Sequence, residues 1–132
     1  MGQSLIVETT FLVDLEREHS RGRAGGAIEF LDEHPDARLY LPFVVAGEIA
    51  AGKTMRDRAR WEAFLGPFFV LPSTPEVCWQ FGRTYRHLRD NGTLIGSNDL
   101  WIAATALAND MPVVTRNVAD FRRVPSLEVV KY

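Results

Sequence analysis

Residues 4–14 read Ser-Leu-Ile-Val-Glu-Thr-Thr-Phe-Leu-Val-Asp, and they restrict the fold more than any other stretch of the chain. The apolar run Leu5-Ile6-Val7 ends on one acid, Glu8. Two hydroxyls follow, Thr9 and Thr10, and then apolar residues recur at helical spacing. An unbroken apolar run with β-branched members suits a strand buried on both faces. The pattern predicts a strand over 4–8 and a helix over about 11–19 with Thr10 as its N-cap. That handover presents Glu8 at the carboxyl edge of a sheet, where open α/β folds bind their ligands.

The rest of the chain repeats this alternation. A second helix is expected over 24–34, closed by the turn His34-Pro35-Asp36. Arg38–Leu41 reads as a strand. Pro42 then opens an apolar helix, Phe43–Ala51, which Gly52 ends. Residues 56–65 form an amphipathic helix, and Phe68-Phe69-Val70-Leu71 reads as a strand buried by its composition. Ser73-Thr74-Pro75-Glu76 starts a helix that reaches Asp90, where Asn91-Gly92 stops it. Ser97 is the expected cap of the next helix, with Asp99 in its first turn. Strands over 111–115 and 127–130 and a short helical piece at Val118–Phe121 complete the chain. Short apolar strands alternating with helices predict an α/β fold: a three-layer α/β/α sandwich with a mainly parallel central sheet. Residues 1–132 suit one domain.

Composition narrows the class. Hydrophobic residues make up 46% and charged residues 24%, as in ordinary globular proteins, and no apolar run approaches the length of a membrane span. No signal peptide is evident, and the one cysteine, Cys78, has no internal partner and reads as a small buried hydrophobe. The expected compartment is the cytoplasm. The net charge is −2, yet setting aside Glu8, Glu48, Asp99 and Asp120 leaves 13 acids against 15 basic residues, of which 13 are arginine. A phosphodiester substrate is therefore compatible with the charge balance.

Those four acids are the candidates for chemistry. Glu48 stands alone among Val44, Val45, Ile49 and Ala51 in an otherwise apolar helix. A buried carboxylate needs a partner, a hydrogen bond or a metal. Asp99 in a helix's first turn and Asp120 after a strand also fall toward the carboxyl edge of the sheet. Several acids gathered there would repel one another without a cation. Hard cations such as Mg²⁺ take a few carboxylates and keep several waters. Such a site suits phosphodiester hydrolysis. His19, His34 and His87 are isolated, no His/Cys pair has zinc spacing, and no Gly-rich phosphate loop or Gly-x-Ser-x-Gly is present.

Four stretches carry a resemblance. They are Ile6–Asp14; Gly47-Glu48-Ile49; Asn98-Asp99-Leu100-Trp101-Ile102-Ala103-Ala104-Thr105-Ala106-Leu107; and Val113-Val114-Thr115-Arg116-Asn117 through Asp120-Phe121 to Leu127-Glu128-Val129. In order and spacing the chain resembles the PIN-domain ribonucleases, in particular the VapC-type toxins of toxin–antitoxin pairs. The resemblance implies a metal-dependent endoribonuclease that hydrolyses RNA by metal-activated water, with Mg²⁺ or Mn²⁺ as cofactor. Cleavage would leave a 5′-phosphate and a 3′-hydroxyl. By position Glu8, Glu48 and Asp99 take the first three acidic places, with Glu8, Asp99 and Asp120 on the metal. The fourth place falls to Asp120 or to Asn117. Thr10, Thr115 and Asn117 are candidate water or metal contacts, and Arg116 is a candidate RNA contact. Such toxins form homodimers and are silenced by an antitoxin protein. Phe11 and Leu12, or Trp61 and Phe64, are candidate partner surfaces. The chain departs from the family at Glu8, where aspartate is usual. That departure supports a rival reading: a PIN-fold protein-binding module with weak or no nuclease activity.

Overall fold

The computed structural model describes residues 2–132. Five strands form one sheet: β1 (Ser4–Val7), β2 (Arg38–Pro42), β3 (Phe69–Leu71), β4 (Val113–Thr115) and β5 (Val129–Lys131). Their order is β3-β2-β1-β4-β5, and every neighbouring pair is parallel. Parallel neighbours need crossover connections, and helices supply them. These are α1 (Thr9–Arg21), α2 (Gly26–Glu33), α3 (Phe43–Ala50), α4 (Arg58–Leu65), α5 (Pro75–Asp90), α6 (Ser97–Asn109) and α7 (Val118–Phe121). Helix α1 packs on α2, and α5 packs on α6, which also meets α3. The result is the expected three-layer sandwich. Among the described residues no helix is long and apolar enough to cross a membrane.

β1 is the middle strand, and its last three residues are apolar. Leu5, Ile6 and Val7 are buried, as are Val113 and Val114 of the adjoining β4. Phe11, Leu12, Leu41, Leu100, Ile102 and Phe121 close over them from the helices and from β2. Strand order reverses direction at β1: the chain first builds β2 and β3 on one side, then β4 and β5 on the other. The crevice beside the carboxyl ends of β1 and β4 is therefore the topological switch point.

Several local expectations need correction. β1 ends at Val7, and Glu8, not Thr10, caps α1: its carboxylate accepts the Phe11 N–H at 3.1 Å. Gly96, not Ser97, holds the cap position of α6, with no side-chain bond. Pro42 closes β2 and stands before the first residue of α3. β3 is not buried. It is an edge strand, and Phe69 and Val70 are exposed, because apolar composition does not reveal position in the strand order. Cys78 is exposed on α5. Phe11 and Leu12 are buried, so Phe11 is core rather than partner surface.

Candidate metal centre

Glu8 follows the last residue of β1 and enters α1, so its Cα is fixed by a buried strand on one side and a helix on the other. It is only 4% exposed. Burial pushes its pKa up. Hydrogen bonds from the Thr10 and Phe11 N–H groups and the Thr10 hydroxyl oppose that shift, and the nearby Asp99 charge adds to it.

Glu48 lies on α3 and is half-buried rather than enclosed. The Thr9 hydroxyl donates to its Oε1 at 2.8 Å. The groove beside this pair, about 190 Å³, is lined by Thr9, Val13, Glu48, Ile49, Met55 and Phe64 among others. No motif marks Thr9 for this contact. Its place beside Thr10, one residue after the acid, was the signal available.

Asp99 stands in the first turn of α6, whose N-terminus has no capping side chain. Free N–H groups there favour a negative charge. Even so, burial pushes the Asp99 pKa up, and the negative charges of Asp120 and Glu48 push it further. Asp99 thus senses Asp120 and Glu48, and Glu8 senses Asp99.

Asp120 lies on α7, in the turn after β4. Thr115 is fully buried, and its Oγ1 accepts the Asn117 N–H at 2.9 Å. Asn117 in turn donates from Nδ2 to Asp120 Oδ2 at 3.0 Å. Thr115 thus shapes the turn, and Asn117 and Asp120 stand side by side in it. Arg116, the candidate RNA contact, pairs its guanidinium with Asp14 at 2.7 Å.

Among the described residues only one ion pair touches the four acids, Arg123 with Asp120 at 3.9 Å. Glu8, Glu48 and Asp99 have no Lys or Arg partner there. No group of three or more His, Cys, Asp or Glu side chains among the described residues forms a ready metal cage. The donor set is all oxygen, and its charge is largely uncompensated. That suits a hard divalent cation, which needs few carboxylates and retains waters.

The model of the PIN domain family matches residues 5–127. Ribonuclease VapC of Rickettsia bellii is 29% identical over 96% of the chain and 94% of that protein. Ribonuclease VapC1 of Haemophilus influenzae is 30% identical over 71% of the chain and 74% of its own length. Among solved structures, VapBC2 from Rickettsia felis bound to a DNA fragment from its promoter superposes with a TM-score of 0.79. It covers 98% of both chains at 20% identity, a likeness of fold.

Proposed function

The chain belongs to the PIN domain family, and on that premise we propose that it is the endoribonuclease toxin of a toxin–antitoxin pair. The observation that carries the reading is the family match over residues 5–127, with ribonucleases among the relatives, and the acids at the switch point agree with it. Asp99 senses Asp120 and Glu48, Glu8 senses Asp99, and almost no basic residue offsets them. Glu8, Asp99 and Asp120 would hold the ion, Mg²⁺ or Mn²⁺. When bound, the cation supplies an acidified water and neutralises charge on the phosphate. Glu48, whose Oε1 accepts the Thr9 hydroxyl and whose charge raises the pKa of Asp99, would orient the attacking water. Asn117, which donates from Nδ2 to Asp120, would help to orient it.

The partners follow the same reading: RNA as substrate, a second copy in a homodimer, and an antitoxin, all in the cytoplasm. An apolar groove of about 340 Å³ between α1, α2 and α4, lined by Leu12, Leu15, Leu31, Leu39, Phe64 and Phe68, suits an apolar segment of the antitoxin. Leu12, largely buried, forms its floor, and Phe64 also borders the groove beside Glu48.

The test is cleavage of structured and unstructured RNA by purified, antitoxin-free protein, with Mg²⁺ or Mn²⁺ and with chelator. Wild-type protein cleaves only with the cation, and Asp99→Asn lowers the rate on the order of 100-fold. No cleavage by wild-type protein on either RNA would favour the protein-binding module.

A further inference from the structure

Arg116 sits in the turn that carries Asp120, but its guanidinium is forked onto a carboxylate 102 residues away. Nε lies 2.7 Å from Asp14 Oδ2, and Nη2 donates to Asp14 Oδ1 at 3.2 Å. The Tyr132 hydroxyl donates to the same Oδ2 at 2.7 Å. The Asp14 side chain is only 13% exposed, unlike the partners in the surface pairs Arg58–Glu62 and Arg89–Asp90. A two-pronged fork onto a largely buried carboxylate fixes direction as well as distance.

Two short paths leave this clamp. Through Arg116 it reaches the turn in which Thr115 Oγ1 binds the Asn117 N–H and Asn117 Nδ2 binds Asp120. Through Tyr132, whose ring meets Phe11 edge-on at 4.9 Å, it reaches the residue whose N–H donates to Glu8. One carboxylate on α1 therefore braces the turn bearing Asp120 and the helix start bearing Glu8.

We infer that Asp14 is a positioning residue for RNA cleavage, acting through Arg116 and Tyr132 to hold Asp120 and Glu8 in register across the switch point. The inference rests on the endoribonuclease reading above. It also gives Arg116 a different role from the RNA contact that its sequence position suggests. Two of its donors are already taken by a bidentate carboxylate, and a phosphate would have to displace that pair.

The experiment measures kcat, KM for RNA and the Mn²⁺ half-saturation for Asp14→Asn, Arg116→Gln, their double variant, Arg116→Lys and Tyr132→Phe. Circular dichroism at the assay temperature gives the folded fraction of each. Misplacing a reacting group by about 1 Å costs up to about 100-fold, and partial loosening costs less. Asp14→Asn and Arg116→Gln should each lower kcat about 10-fold or more and raise the Mn²⁺ half-saturation, with KM within about twofold. The double variant should be no slower than the slower single one, because both break the same link. Arg116→Lys, which keeps the charge and loses the fork, should not restore the rate.

A raised KM with unchanged kcat in Arg116→Gln would overturn the inference in favour of RNA contact. Wild-type kcat in folded Asp14→Asn would also overturn it. If neither variant folds, Tyr132→Phe, which removes one hydrogen bond, decides: a wild-type kcat and Mn²⁺ response overturn the inference, and a slower kcat with a weaker response supports it. Asp99→Asn separates the two levels. Full activity in that variant sinks the reading of the site itself, whatever the clamp variants do.

Discussion

Two glutamates serve helix N-termini in this molecule, and they are held in opposite ways. Glu18, on the surface of α1, reaches over to α2. Its two oxygens accept the N–H groups of Gly25, Ala27 and Ile28 at 2.8–3.1 Å. Partial desolvation acts against its charge, but the three N–H bonds outweigh it and hold its pKa below the ordinary value. Glu8 caps its own helix, and burial with Asp99 nearby holds its pKa above the ordinary value despite the N–H groups around it. The same side chain and the same kind of donor produce a structural cap in one place and a strained anion in the other. The difference lies in burial and in the sign of the neighbours. Perturbed carboxylates of the second kind mark functional sites more often than those of the first.

The comparison is tested first by removing the structural cap. Glu18→Ala should cost about 1–2 kcal/mol of stability in denaturant unfolding at neutral pH and leave RNA cleavage by the folded protein unchanged. The folded pKa of Glu18 lies below its unfolded value of 4.5. Its contribution is therefore complete above that value and is lost as pH falls through the lower folded one. The gap between wild type and Glu18→Ala should accordingly narrow on acidification below pH 4.5. A loss of cleavage without a loss of stability would mean that the two glutamates are not separable in this way.

A smaller effect is expected at the other cap. Glu8→Asp shortens the side chain by one methylene and introduces a preferred N-cap residue. It should raise cation affinity and cleavage rate by a few fold, in line with the sensitivity of such sites to small displacements. Equal rates for both forms across a Mn²⁺ titration would show that the longer side chain imposes no penalty.

The contrast also explains what could be read from the sequence. Glu8 and Glu48 were legible because each is an acid set against an apolar run, and Asp99 because the pattern places it in a helix's first turn. The sheet was legible because the central strands β1 and β4 are built on the apolar runs Leu5–Val7 and Val113-Val114. The cap by Glu18 was not legible: it spans seven to ten residues and obeys no local rule. A hint existed in Gly25-Gly26, which opens a helix with no capping side chain of its own. A Cβ on Gly25 would stand 2.9 Å from the Glu18 carboxylate, so the approach depends on glycine. Glu8 was missed as a cap because N-cap preferences favour shorter side chains such as that of Thr10. The exposure of β3 follows from strand order, and the Asp14–Arg116–Tyr132 clamp joins residues 102 and 118 positions apart. No local pattern reports either.

The central claim is that Glu8 belongs to the set of acids proposed above to hold a cation. Its folded pKa lies above 4.5, so its stabilising share is full below that value and is lost as pH rises through the raised one. At neutral pH an ionised Glu8 therefore destabilises the metal-free fold, whereas a glutamine there keeps an oxygen for the Phe11 N–H without the charge. The decisive measurement is thermal melting of wild type and Glu8→Gln at pH 7, with chelator and then with Mn²⁺. The account predicts that Glu8→Gln melts higher than wild type in chelator and loses most of the Mn²⁺-induced rise that wild type shows. A Glu8→Gln protein that melts lower in chelator and keeps the full Mn²⁺ rise would contradict it.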